Sequence, residues 1–403
     1  MRSPDRELTT TRVETFDPLA GTRLVAENFS TTPPDRFPLN YQAFFPDEFG
    51  NTRFLGRVSL DNGQVAFMAN AQTLPPDDNP VIQGVFVGGQ GPRTVATTSI
   101  DGSPTPGEGN FQGFPGLRAS ISGGNVAFNG FGESGSAATG IYANFGGTLQ
   151  RVADTSTPVP PSPGTSVGAG HFTSLSLLPV MVGSDVVFSG RGSIPVPPSG
   201  EGFDGIYLAN LDGQASSLFA LVTDDTKIPG TDVSFGGHSF GTTPAFGGAS
   251  VAFFGQASSG EHSGIYLADR FSGLVTRIAD TNTLVPGKDT TFSAFRDTDI
   301  SVDRGNVVFA AETADGPGIY MYLNGSLIEV AEAADFAFPN FETIIALGLQ
   351  GEALDGRDVA FWAEAVGEGG AQEFIILASI PIPATLWLVG LALMVMFGIR
   401  RNR

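Results

Sequence analysis

His171, His238 and His262 are the only imidazoles in the chain, and cysteine is absent. His171 and His238 precede Val186 and Val251 by similar distances, which puts them in corresponding loops of neighbouring repeats. Two adjacent imidazoles could hold a transition metal, yet no HExxH or comparable ligand spacing accompanies them. Loop hydrogen bonding is the expected role of both, and solvent exposure that of His262. Asp154, Asp224 and Asp280 form the other recurring set. Each closes an apolar run and is soon followed by Thr. Carboxylate oxygens suit Ca²⁺, which stays as the alternative. A carboxylate repeated at strand exits is expected instead to bond the local backbone as an Asx turn. GxSxG, P-loop and dinucleotide fingerprints do not occur in a strand–turn–helix context, and the sialidase-type Ser-x-Asp-x-Gly-x-Thr-Trp box is missing. With 41 acidic residues, spacing alone cannot single out a carboxylate pair for glycoside cleavage. No catalytic, cofactor-binding or metal-ligating residue is assigned, and the expectation is a protein that is not an enzyme.

The elements that would position these residues repeat along the chain. Val251–Gly287 holds the pattern in full: Val251-Ala252-Phe253-Phe254, then Gly264-Ile265-Tyr266-Leu267, then Leu274–Ala279, closed by Asp280-Thr281 and Pro286-Gly287. These runs are β-branched, aromatic and too short for helices. The first recurs at Val65-Ala66-Phe67, Val126-Ala127-Phe128, Val186-Val187-Phe188, Val307-Val308-Phe309 and Val359-Ala360-Phe361. A further strand and a tight turn precede each one. Examples are Arg57–Leu60 before Asp61-Asn62-Gly63, and Arg118–Ile121 before Gly123-Gly124-Asn125, turns that supply the positive φ of a two-residue hairpin. Four short antiparallel strands per unit, repeated, predict an all-β protein built as a β-propeller, with a solenoid as the competing architecture. Blades stack face to face, which accounts for continuous apolar runs where a half-exposed sheet would alternate.

The 33 Phe among 403 residues supply ample core material, and 54 Gly with 28 Pro punctuate the strands. A net charge of −20 excludes nucleic acid as a partner, because phosphate neutralisation needs clustered Lys and Arg. The acidity is read first as solubility. Loops between the first and second runs vary from the compact Ala310–Pro317 to the Pro-rich Gly190–Phe203. Variation at one place in the unit maps to one face of a ring, so that face or the central channel is where a ligand would bind.

Residues 1–20 are polar and lack a signal-peptide core. Residues 21–379 carry the repeats. Thr22–Glu27 resembles a third run with no first or second before it, whereas Val359-Ala360-Phe361 and Glu373–Leu377 are a first and second with no third. The expectation is that residues 22–27 complete the last blade, giving six; a seven-bladed ring follows if they are the remnant of a truncated blade.

Residues 380–403 differ in kind. Ile380-Pro381-Ile382-Pro383-Ala384 leads into an uncharged run ending at Ile399, followed by Arg400-Arg401-Asn402-Arg403. Counted from Ile380 the run reaches the ~20 residues that span a bilayer, so a C-terminal transmembrane helix is expected. The arginines should stay cytoplasmic, with the propeller outside. Together the Pro-Ile-Pro-Ala motif, apolar helix and Arg tail resemble the PEP-CTERM sorting signals of Gram-negative bacteria, in the variant whose motif reads Val-Pro-Leu-Pro-Ala. The resemblance implies that an exosortase, a membrane transpeptidase, recognises Pro381, Ile382, Pro383 and Ala384, with Arg400, Arg401 and Arg403 as the cytoplasmic anchor. It implies transient residence in the inner membrane, then delivery to the cell surface or extracellular matrix. It also implies a link to exopolysaccharide and biofilm production, and a secretory leader encoded upstream of Met1. The functional expectation is a binding or structural propeller whose partner is exopolysaccharide or another surface protein. The alternative is a secreted polysaccharide hydrolase or lyase with its site in the channel.

Overall fold

The computed structural model describes residues 12–17, 21–27, 39–43, 59–73, 82–89, 93–98, 105–106, 109–115, 118–132, 139–162, 170–193, 202–212, 217–236, 240–335, 341–349, 352–367 and 370–380. An antiparallel pair comes first, β1 (Arg12–Asp17) and β2 (Gly21–Glu27). Six antiparallel sheets then follow in chain order. The first contains β3 (Leu39–Ala43), β4 (Ser59–Asp61), β5 (Gln64–Thr73), β6 (Ile82–Gly89) and β7 (Arg93–Thr97). The second contains β8 (Phe111–Gly113), β9 (Ser120–Ser122), β10 (Asn125–Gly132), β11 (Gly140–Phe145) and β12 (Thr148–Asp154). The third contains β13 (Phe172–Leu175), β14 (Val180–Val182), β15 (Asp185–Ser193), β16 (Gly202–Asn210) and β17 (Ser217–Thr223). The fourth has β18 (Ala245–Phe246), β19 (Ser250–Gly255), β20 (Gly264–Asp269) and β21 (Val275–Asp280). The fifth has β22 (Ala294–Asp303), β23 (Asn306–Thr313), β24 (Gly316–Leu323) and β25 (Ser326–Glu332). The sixth has β26 (Phe341–Gly348), β27 (Leu354–Asp355), β28 (Asp358–Gly367) and β29 (Gly370–Ser379).

Every Val-Ala-Phe-type run occupies the second strand position, in β5, β10, β15, β19, β23 and β28. In the second to fifth sheets its Phe stacks on a Tyr of the third strand. Phe128–Tyr142, Phe188–Tyr207, Phe253–Tyr266 and Phe309–Tyr320 have centroids 6.0, 5.8, 5.9 and 6.0 Å apart. A third ring meets the Tyr edge-on at 4.8 to 4.9 Å: Phe111, Phe172, Phe235 or Phe292. Such pairs add about 0.5–1.5 kcal/mol beyond area burial. The Gly two residues before each Tyr makes this geometry possible. At Gly264 a Cβ would lie 2.2 Å from the Ala279 carbonyl oxygen, and the Tyr320 ring folds back over Gly318. A bulge falls at the same point of each pairing, between Ile265 and Tyr266 for example, and re-aims the ring inward. Asn62 and Gly63 hold the expected positive φ at the turn into β5.

Between neighbouring sheets a small-residue face meets this aromatic face. Ala127, Ile141 and Ala143 of the second sheet form one cluster with Phe172, Phe188 and Tyr207 of the third. The same arrangement joins each consecutive pair from the first sheet to the sixth. Full burial of each such aromatic or aliphatic side chain contributes roughly 1.5–3 kcal/mol. This stacking is the architecture of a β-propeller.

The inner segments β4, β9, β14, β18, β22 and β27 touch in succession around an axis. Serine hydroxyls tie neighbours together: Ser59 Oγ accepts from Ile121 N at 3.1 Å, Ser120 Oγ from Met181 N at 3.0 Å, and Ser301 Oγ from Leu354 N at 3.2 Å. The circle closes where Glu352, beside β27, accepts bonds from Ser59 Oγ at 2.6 Å and Leu60 N at 3.2 Å. Six sheets, not seven, surround the axis among the described residues.

The closure differs from the sequence expectation. Residues 22–27 do not extend the last sheet: β2 pairs with β1, Arg12 opposite Glu27, and lies beside β6. β29 pairs with β28 alone among the described strands. A hairpin partner three residues away closes a minimal loop, whereas a partner at the far end of the chain does not. The expected C-terminal helix, with Pro381, Ile382, Pro383, Ala384, Arg400, Arg401 and Arg403, lies outside the described residues. Among the described residues no helix is long and apolar enough to cross a membrane.

Candidate functional site

In each sheet the innermost strand is interrupted before the turn into the second strand, or bent there, as in β22 with its register jump from Phe295 to Ile300. The interruptions bring Arg118, Leu178, Thr243, Thr298 and Glu352 from five sheets to the axis. Among the described residues they leave a cavity of about 30 Å³ there. That holds a water or two and no sugar ring.

The larger openings lie at the end where the second strands run out into their variable loops. A cleft of about 700 Å³ lies across sheets four to six, within the size range of ligand sites. Its aromatic walls have a simple origin. The residue after the buried Phe of the second strand points to the opposite face, by the period of two. That residue is Phe254 in β19 and Trp362 in β28, both half-buried, whereas Met68, Asn129, Ser189 and Ala310 are buried at the same position elsewhere. Gly348 supports the Trp362 ring, since a Cβ there would sit 2.5 Å from Cζ2. Phe240 stands at the rim, packed on Phe235 at 5.3 Å and Phe253 at 5.8 Å.

The polar groups of this cleft come from the bend in β22. Arg296 pairs with Glu312 at 2.7 Å and lies 4.0 Å from Asp299. Asp297 accepts weakly from Thr242 at 3.4 and 3.5 Å. A second cleft of about 260 Å³ shares Phe240 and continues over the third sheet, lined by Ser174, Ser176, Ser189, Arg191 and Asp204. Arg191 Nε stands 3.7 Å from Asp204 Oδ1. Behind it Asp224 accepts from the Asp204 backbone N–H at 3.0 Å, and its Oδ1 is buried without a hydrogen-bond partner among the described residues. Burial first, and the neighbouring Asp204 charge second, push the Asp224 carboxyl up to about 7.

Apart from Asp224, the residues singled out from sequence lie away from these clefts. His171 is exposed and bridges Pro158 through the backbone; His238 lies outside the described residues. His262 corrects the expectation of free exposure. Its φ is +55°, its side chain is 21% exposed, and Nδ1 lies 3.1 Å from both Asp280 Oδ2 and Asn282 Nδ2. Asp154 and Asp280 form the expected turns. Asp154 accepts from Ser156 N at 2.9 Å, Thr157 Oγ1 at 2.9 Å and Arg151 at 2.8 Å; Asp280 accepts from Asn282 N at 3.1 Å, Thr283 Oγ1 at 2.8 Å and Arg277 at 3.0 Å. Those bonds, with that of His262 to Asp280 foremost for the latter, outweigh the desolvation of the two carboxyls and hold both below the usual carboxylate range. Asp224 is not their equivalent. Gly205 faces Thr223, as Gly140 faces Asp154 and Gly264 faces Asp280, so Asp224 lies one residue further along. No group of three His, Asp or Glu side chains among the described residues is placed to hold a metal ion. The cleft residues were not singled out, although an aromatic residue directly after Val-Ala-Phe marks two of them.

Fold and site together define a six-sheeted β-propeller with an aromatic-walled cleft at its loop end. The chain belongs to the family of unknown function DUF7453, which it matches over residues 60–375, a span that includes both clefts. No curated protein matches it. Among solved structures it is similar to the β-propeller domain of the Trilobed protease from Pyrococcus furiosus (12% identity, TM-score 0.34, covering 81% of this chain and 94% of that one). The α-L-arabinanase of Penicillium chrysogenum complexed with arabinobiose is also similar (10%, TM-score 0.34, 81% and 92%). So is the acylaminoacyl peptidase of Pyrococcus horikoshii (11%, TM-score 0.36, 87% and 55%), of which the chain spans about half the length.

Proposed function

We propose that this protein is an exported β-propeller that binds polysaccharide through its loop-end cleft, without transforming it. The observation that carries the reading is the cleft itself, where Trp362, Phe254 and Phe240 offer ring faces beside Arg296 and Asp297. Sugar rings present apolar C–H faces and polar rims. A wall of aromatic rings with a few planar polar groups complements both. Residues 380–403 support delivery outside the cell, with an exosortase acting near Pro381–Ala384 and the propeller held at, or shed from, the surface. Affinity electrophoresis of the purified chain through gels containing the host's exopolysaccharide tests binding, with mobility equal to that of an acidic control protein counting against it. Export is tested by a reporter fused behind Arg403, which should mature only in the cytoplasm.

One observation favours the hydrolytic alternative. Asp224, held near pH 7 behind Asp204 and the smaller cleft, has the pKa of a general acid. Glycan turnover lost in Asp224→Asn would establish that alternative and remove the binding-only reading.

A further inference from the structure

The charge lining the clefts narrows the ligand class, and this step rests on the polysaccharide reading above. Two cations line them, Arg191 and Arg296. Each faces a carboxylate already: Arg191 faces Asp204 at 3.7 Å, and Arg296 faces Glu312 at 2.7 Å and Asp299 at 4.0 Å. Asp297 adds a further negative group. Recognition of a uronate, sulfate or phosphate on a sugar calls for a guanidinium fork or ammonium turned toward the ligand. Here such a ligand would displace an internal carboxylate while approaching an acidic wall, on a chain of net charge −20. Hydroxyls carry no such penalty. They can bond to Asp297, Ser174 and Thr242 as they would to water.

The second constraint is continuity. Phe240 lines both the larger and the smaller cleft, so the two adjoin at that ring and lie in succession over sheets three to six. Aromatic rings stand along it at Phe240, Phe254 and Trp362, and a linear chain can lie on successive rings with its hydroxyls toward the polar rim. We infer that the ligand is an uncharged linear polysaccharide, bound along its length across both clefts with Phe240 at the junction.

The test uses the full chain and two sets of probes. The neutral set is a ladder of β-glucan and mannan oligosaccharides; the acidic set is polygalacturonate and alginate, each with and without EDTA. Neutral oligomers should bind, with affinity rising with length until both clefts are occupied, and acidic polymers should not. Trp362→Ala should weaken binding about tenfold while Trp362→Phe retains most of it. Phe240→Ala should remove the gain from longer oligomers and leave short ones bound, an effect that loss of folding would not produce. Acidic polymers binding as tightly as neutral ones would overturn the inference and leave the polysaccharide reading in place. Affinity independent of length would overturn the continuous track. Failure of every polymer to bind would overturn the polysaccharide reading, and this inference with it.

Discussion

Glu352→Ala tests whether the ring is closed at its hub. The substitution removes the acceptor for Ser59 Oγ and Leu60 N, the bonds that join the sixth sheet to the first. Ser59 is fully buried and its oxygen still accepts from Ile121 N, so its hydroxyl proton loses its charged acceptor. A hydrogen bond to an ionised group contributes about 1.5–3 kcal/mol, whereas the exposed Leu60 amide recovers water and costs little. The expected loss is therefore about 2 kcal/mol. Unfolding entropy near 2.1 cal/mol/K per residue, scaled to a body of this size, gives about 0.7 kcal/mol/K, so Tm should fall by about 3 °C. Calorimetry measures the fall, and hydrogen exchange should locate it at Leu60 and Ile121. A double-mutant cycle with Ser59→Ala subtracts the separate cost of orphaning Ile121 N and should return a coupling of about 1–2 kcal/mol. Zero coupling, or unchanged protection of Leu60, would refute closure through this bridge.

Other consequences are equally concrete. Gly264→Ala drives a Cβ into the Ala279 carbonyl and should cost about 3 kcal/mol, against about 1 kcal/mol for Gly146→Ala, where φ is +59° and nothing lies within 4 Å; urea melts compare them. Tyr320→Phe loses a 2.6 Å bond to Glu332 and should cost about 2 kcal/mol. Tyr207→Phe, whose hydroxyl is buried without a partner among the described residues, should be neutral or stabilising, and equal losses in both would contradict the assignment. Asp224 titrates near 7 when folded, above its unfolded value of about 4, so between those values the folded state holds more protons and stability declines as pH rises. Asp224→Asn should flatten that decline and be the more stable form at pH 8. A native Tm already level from pH 4 to 8 would dismiss the shift.

The division between what was legible and what was hidden follows from the range of the forces involved. Strand identity depends on local chemistry, and so do the turns. Val-Ala-Phe runs, Asn62-Gly63 and the Asp154 and Asp280 turns were therefore readable along the chain, as was a four-strand unit. Asp224 does not share the Asp154 and Asp280 turn because Thr223 occupies the equivalent position opposite Gly205, and an Asp one residue later in the sequence mimics the pattern without taking its place. Residues 22–27 look like a fourth strand because they carry that pattern. Pattern specifies a strand's face and leaves its partner open, and the neighbouring β1 takes it.

By itself, then, the sequence determined the all-β class, the repeat and its aromatic interior, because each arises from residues within one unit. Tertiary structure alone decided the narrow cavity at the axis, the Glu352 bridge and the cleft. Each of these joins side chains from different sheets, brought within a few ångströms only after whole units have stacked. Trp362 and Phe254 are ordinary apolar residues in their own strands. They face a common space only because the stacked sheets bring β19, the bend of β22 and β28 to one cleft.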